Sequence, residues 1–191
     1  MEKEIVIASG NKGKIKEARE ILKGFKIIPL SEIDNNIDVE EDKDTFEENS
    51  IKKAYEISKH LKGKMCISDD SGIEIEYLDG FPGVYTKRWH KGTDRDRNLE
   101  IITKLEGVKK ENRKVKFVTA IALAEGENII TAVENLEGYI AEEPRGENGF
   151  GFDEIFELEN GKTLAEITEE EKNEISARKK ALEILKSKLS Y

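Results

Sequence analysis

Two long β-forming runs, residues 115–123 and 129–135, meet at Glu125-Gly126 and constrain the fold of this chain more than any other feature. Apolar and β-branched residues on both sides of a glycine-bearing turn predict an antiparallel pair, with a third strand over residues 136–140. The first half of the chain has a different rhythm. Residues 4–8 read as a strand, residues 9–13 as a turn, and residues 14–23 as a helix whose Ile15, Ala18 and Leu22 share one face. A second strand is predicted over residues 25–30. Thr45 and Glu48 have capping-box spacing and open a helix to about residue 61, with Ala54, Ile57 and Leu61 inward. A strand at Met65-Cys66-Ile67, a short strand over 73–77 and a helix over 94–105 follow. Strand–helix units joined to an antiparallel ribbon predict an α/β fold with a mixed sheet.

The net charge of −9 argues against general binding of nucleic-acid backbones, which needs an excess of Lys and Arg. Phosphates, if handled, must be met by a local basic pocket or a metal. Cys66 is the only cysteine, so neither an intrachain disulfide nor a cysteine-rich zinc site is available, and its apolar neighbours predict a core position. Met1-Glu2-Lys3-Glu4 lacks the basic and apolar segments of a secretory signal. No apolar run approaches the ~20 residues that span a bilayer. A soluble cytoplasmic protein with no membrane partner is expected.

Chemistry concentrates at Asp69-Asp70-Ser71-Gly72, after the Met65-Cys66-Ile67 run. Side chains alternate along a strand, so the two carboxylates can share one ion only if the chain turns, which Ser71-Gly72 permits. A hard cation such as Mg2+ prefers these oxygen ligands. A strand followed by an acidic turn is the alternative. Ser9-Gly10-Asn11-Lys12-Gly13-Lys14, between a strand and a helix, has the glycines and lysine of an anion-binding turn. It is not a standard P-loop, because Gly10 and Gly13 are too close and Ile15 replaces the hydroxyl residue. A plain strand–helix turn is the other reading. Asn49 and Lys53 share a helix face from which Lys53 could reach a cleft, and Glu41 lies in the acidic run just before it; solvated surface groups and a solvated loop are the other reading.

These segments occur in a definite order. Ser9 to Lys14 come first, then Glu41 before Thr45-Phe46-Glu47-Glu48-Asn49, Lys53 and Asp69-Asp70-Ser71-Gly72. Gly80-Phe81-Pro82-Gly83-Val84-Tyr85, Gly149-Phe150-Gly151-Phe152-Asp153 and Ile175-Ser176-Ala177-Arg178 follow. In this order the chain resembles the inosine triphosphate pyrophosphatase family, the XTP/dITP diphosphatases, over essentially its whole length. The resemblance implies a long mixed sheet flanked by helices, with two lobes around a central cleft. It implies Mg2+-dependent house-cleaning hydrolysis of ITP, dITP and XTP to monophosphate and pyrophosphate by a homodimer. Ser9, Gly10, Asn11, Lys12, Gly13, Lys14 and Lys53 would hold the triphosphate, with Ser71 on a phosphate. Glu41, Asp69 and Asp70 would organise the metal, and Asp70 would be the general base with Lys53 beside it in catalysis. Phe150 would stack on the purine, and Gly151, Phe152, Asp153, Lys172 and Arg178 would line the base end. Stacking cannot choose a base, whereas donors such as Lys172 and Arg178 suit a 6-oxo group and oppose an adenine amino group.

The chain departs from the family pattern at Ala177, where histidine is usual, at Glu154, where proline is usual, and at Thr86-Lys87. Loss of the histidine predicts weaker binding or looser selection of the 6-oxo purine with the chemistry intact. Two rival functions follow: a pyrophosphatase with altered base preference, as in Maf-like proteins, and a nucleotide-binding sensor without turnover. Lys172 and Arg178 lie six residues apart, about 120° around a continuous helix, so converging on one ligand requires a helix break. The break is predicted near residues 174–176, before a helix carrying Ala181, Leu182, Leu185 and Leu189 inward.

Overall fold

A parallel pair starts the chain. In the computed structural model, which describes residues 3–86 and 88–189, β1 (Lys3–Ile7) and β2 (Phe25–Pro29) run side by side with Lys3 opposite Phe25 and Ile7 opposite Pro29. The connection is helix α1 (Lys12–Ile21), as parallel strands require a crossover. After α2 (Phe46–His60), strand β3 (Cys66–Ile75) pairs in parallel with the other edge of β1. Helix α3 (Asp94–Lys104) leads to β4 (Lys114–Glu125) and β5 (Asn128–Ile140), which meet at a two-residue turn where Gly126 has a φ of 60°. A short β6 (Phe156–Glu157) pairs antiparallel with β5. The sheet order is β2-β1-β3-β4-β5-β6, a mixed sheet as the sequence predicts. Helices α4 (Glu169–Ile175) and α5 (Ala177–Leu189) close the chain.

The chain divides into two compact units. The first holds residues 1–71, 119–134 and 177–191. On one side of its strands, Ile5, Ile7, Ile67 and Ile121 pack with Ala18 and Leu22 of α1 and Ala181, Leu182 and Leu185 of α5. On the other side, Val6, Ala8 and Cys66 pack with Val39 and with Ile57 of α2. The second unit holds residues 72–118 and 135–176. Its core gathers Ile73, Ile75, Ile101, Leu105, Ile140, Phe152, Ile155 and Phe156.

Two element boundaries differ from the sequence reading. The expected third strand at residues 136–140 is the end of β5, which runs unbroken from Asn128. The expected short strand at 73–77 is likewise the continuation of β3 as far as Ile75. Buried apolar residues on both sides of Ser71-Gly72, Cys66 and Ile67 before it and Ile73 and Ile75 after it, keep the strand extended, and their burial outweighs the turn preference of serine and glycine. The predicted break between the last two helices is present: Ser176 leaves helical geometry with a ψ of 120°. Met1, Glu2 and Lys87, which entered the reading of the terminus and of Thr86-Lys87, lie outside the described residues.

Candidate active site

Asp69 and Asp70 are delivered to opposite faces of the sheet, because consecutive residues of a strand alternate and β3 does not turn between them. Ile67, Asp69 and Ser71 share the face covered by α1 and α5, where Ile67 joins the core. Cys66, Ser68 and Asp70 share the face covered by α2, where the Ser68 hydroxyl donates to the Ser50 carbonyl at 2.5 Å. The turn on which a shared ion depended is missing, so the expectation that both aspartates close on one metal is corrected.

Asp69 is the hub of an ion-pair cluster in the first unit. Lys14 Nζ, from the first turn of α1, donates to its Oδ1. Arg178 Nε, from the first turn of α5, donates to its Oδ2 at 2.6 Å. The Ser71 hydroxyl adds a bond to Oδ1 at 3.3 Å, and Arg178 Nη1 reaches Glu17 Oε2 at 3.2 Å. Burial alone pushes the Asp69 carboxyl pKa up, but the Arg178 and Lys14 charges, with their hydrogen bonds, outweigh it and hold the group well below the ordinary carboxylate range. For Arg178, burial works to lower the pKa, and Asp69 and then Glu17 reverse that, so the net shift is upward. The helix break at Ser176 starts α5 afresh and sets Arg178 in its first turn.

The Ser9–Lys14 turn is tightly organised. Asn11 caps α1, its Oδ1 accepting from the Gly13 N–H at 2.9 Å and the Lys14 N–H at 3.2 Å. Ser9 Oγ accepts from the Asn11 N–H at 3.2 Å. These backbone donors, expected to meet an anion, are therefore engaged by side chains of the turn itself. Gly10 borders open space, and the Lys12 residue is exposed, so the turn can still admit a ligand beside Lys14.

Asp70 is only 5% exposed. On α2, Lys53 Nζ pairs with Glu41 Oε1 at 3.1 Å, both partly buried. Asn49, one turn before Lys53, is a structural anchor: its Oδ1 accepts from the Lys43 N–H at 2.9 Å and so fastens the segment that follows Glu41. Among the described residues no group of three or more His, Cys, Asp or Glu converges to hold a metal. Mg2+ is usually bound by one or two carboxylates, with substrate phosphates and water completing the shell. Glu41 and Asp70 suit that use. Asp69, with one oxygen on Lys14 and the other on Arg178, does not.

In the second unit, a glycine-rich loop presents one aromatic ring. Gly149 and Gly151 have φ of 80° and 65°, a region side chains disfavour, and Phe150 between them is 63% exposed. The Phe150 N–H donates to Asp153 Oδ2 at 2.9 Å, and Lys172 Nζ, from α4, bonds the same oxygen. That ammonium lies 5.1 Å from the centre of the Phe150 ring. A Cβ on Gly149 would collide with the Asp153 carboxylate, so glycine is required there. Phe150, Asp153 and Lys172 thus form one cluster. Phe152, read as substrate-lining, is instead a buried side chain packed with Ile155 and Phe156 in the second unit's core.

The sequence reading did not single out Glu17, Asp94 or Asn98. Glu17 Oε2 supports Arg178 from 161 positions away. Asp94 and Asn98, on α3, bond the backbone of Gly151 across separations of 57 and 53. Nothing in a local pattern signals such partners.

Residues 5–188 match the model of the Ham1 family. The chain is 46% identical over 189 residues to the dITP/XTP pyrophosphatase of Bacillus subtilis, covering 96% of this chain and 95% of that protein. It is 44% identical over 199 residues to the dITP/XTP pyrophosphatase of Clostridium perfringens, covering 98% and 97%. Among solved structures, the HAM1 protein of Coxiella burnetii superposes with a TM-score of 0.91 at 38% identity, covering 98% of each chain.

Proposed function

The chain belongs to the Ham1 family, and we propose on that premise that it hydrolyses deaminated purine nucleoside triphosphates such as dITP, ITP and XTP to the monophosphate and pyrophosphate, with Mg2+ as cofactor. The observation that supports this reading best is how β3 divides its charge, with the Lys14–Asp69–Arg178 cluster on one face and buried Asp70 on the other.

Lys14 and Lys53 supply positive charge to the triphosphate. Each is held in place by a carboxylate, Asp69 or Glu41, so little side-chain freedom remains to be lost on binding. Asp70 orients water toward the α-phosphorus and accepts its proton. Glu41 and Asp70 would hold Mg2+, which when bound neutralises charge developing on the departing pyrophosphate. Ser71 contributes a hydroxyl to a phosphate oxygen, and the Ser9–Lys14 turn encloses the phosphate tail. Asp69 acts through Lys14 and Arg178, fixing both.

The base is assigned to the second unit. Phe150 stacks on the purine, and the Lys172 ammonium, aimed by Asp153, donates to the 6-oxo oxygen. For Arg178, in the first unit, the family resemblance implies a role toward the base. A guanidinium has five N–H donors, so bonds to Asp69, Glu17 and Ser71 do not exhaust it. We further propose a cytoplasmic homodimer, on the family resemblance; no helix among the described residues is long and apolar enough to cross a membrane.

The test is hydrolysis of ITP, dITP, XTP, GTP, ATP and dTTP with Mg2+, assaying pyrophosphate and orthophosphate separately. Pyrophosphate released faster from ITP and XTP than from GTP and ATP supports the reading. Release without base preference moves the substrate elsewhere, and no release from any nucleotide leaves a binding protein.

A further inference from the structure

Helix α3 holds the loop that displays Phe150. Gly151 follows Phe150, and α3 takes both polar groups of that residue: its N–H donates to Asp94 Oδ2 at 3.0 Å, and its carbonyl accepts from Asn98 Nδ2 at 2.8 Å. Asp94 and Asn98 are four residues apart, one turn of helix, so they project from one face. The same Asn98 amide donates to Glu154 Oε1 at 2.9 Å, and Arg95 Nη1 reaches Glu154 Oε2 at 3.2 Å. Glu154 immediately follows Asp153, the residue that fixes Phe150 N–H and Lys172. Asn98 is 1% exposed, and its Oδ1 has no hydrogen-bond partner. A buried amide that leaves its acceptor unsatisfied while using its donors twice is placed for those donors.

The α3 start is itself braced. Thr93 caps it in a full capping box with Asp96, and Arg97 pairs with Asp94. The loop, by contrast, contains Gly149 and Gly151, residues with the most conformational freedom to lose. Its one large side chain with a function to perform is exposed and makes little packing of its own.

We propose that Asn98 and Asp94 are positioning residues for base recognition: they clamp the Gly151 peptide, and through it fix the Phe150 ring and the Asp153–Lys172 pair. Glu154 extends the clamp to Arg95. The proposal rests on the function proposed above. It predicts that loosening the clamp weakens recognition of the base and leaves recognition of the phosphates untouched, because Lys14, Lys53 and Asp70 belong to the other unit.

The experiment measures steady-state ITP hydrolysis by wild type, Asn98→Ala and Asp94→Ala, together with competitive inhibition by inorganic tripolyphosphate, which has no base. In Asn98→Ala the KM for ITP should rise about fivefold or more, on the scale of a lost base–aromatic stack. The kcat and the tripolyphosphate inhibition constant should stay near their wild-type values, because Lys14, Lys53 and Asp70 belong to the other unit. Asp94→Ala, at an exposed position, should show the same split to a smaller degree and decides the matter if Asn98→Ala does not fold. Unchanged KM for ITP in the folded variants, or a KM and inhibition constant that rise together, overturns the proposal. Wild type that releases no pyrophosphate from ITP removes the functional reading and the proposal with it, an outcome distinct from normal wild-type turnover with unaffected variants.

Discussion

Asp69 and Asp70 are neighbours in the chain and strangers in space, one bonded to Lys14 and Arg178 on the α1–α5 face of β3, the other buried on the α2 face. Their substitutions should therefore fail in different ways.

Asp70→Asn keeps the shape of the side chain and removes the proton acceptor. Pyrophosphate release should fall by roughly 10²–10⁴-fold, the usual scale for a general base. ITP binding, followed by calorimetry, should persist. Turnover within a fewfold of wild type would take Asp70 out of the mechanism.

Asp69→Asn leaves the buried cations Lys14 and Arg178 without their shared carboxylate. Breaking a buried pair in this way costs on the order of 3 kcal/mol. Urea denaturation should report a loss of that size, far larger than for Asp70→Asn. Equal stability of the two variants would show that the ion-pair cluster contributes nothing.

The same pair sets a pH dependence. The native pKa of Asp69 is depressed, so its stabilising contribution is complete above the ordinary carboxylate value near 4 and is lost as pH falls toward the native value. The stability gap between wild type and Asp69→Asn should be constant from about pH 5 to neutrality and should narrow below about pH 4. A gap that widens on acidification would contradict this sign.

Phe150→Ala removes a ring that is largely exposed. Thermal stability should change by less than about 0.5 kcal/mol, as for surface substitutions generally. The KM for ITP should rise by roughly 5- to 100-fold, the worth of one base–aromatic stack. A large loss of stability would instead make Phe150 a core residue.

Chelation should stop pyrophosphate release without lowering the melting temperature. Among the described residues no group of three or more His, Cys, Asp or Glu gathers as a structural metal site would, the kind of site whose emptying lowers the melting temperature. A melting temperature that drops with chelator and returns with Mg2+ would reveal a structural metal.

Much of the fold was legible because its signals are local. Thr45 caps α2, Ala18 and Leu22 face the core from α1, and the helix break before Ala177 follows from the geometry of Lys172 and Arg178. The path of β3 was not legible. Ser71 and Gly72 favour a turn by themselves, and only the burial of Ile73 and Ile75 in the second unit's core makes extension the better choice. The motifs single out candidate site residues in the sequence, but not the partners those residues meet in the fold. Glu17 and Asn98 are polar residues on ordinary helices, and their roles exist only once distant segments meet. Phe152 was misread because it sits inside a functional motif while its side chain serves packing.

The solitary Cys66 lies in the core between β1 and α2, where burial pushes its thiol up to about 12. Thiolate is the reactive form, so at neutral pH this sulfur is nearly inert toward alkylating reagents. The natural chain is thus a ready background for site-directed labelling: a cysteine introduced beside Phe150 would take up a fluorophore alone, and its emission would follow nucleotide arrival in an otherwise unaltered protein.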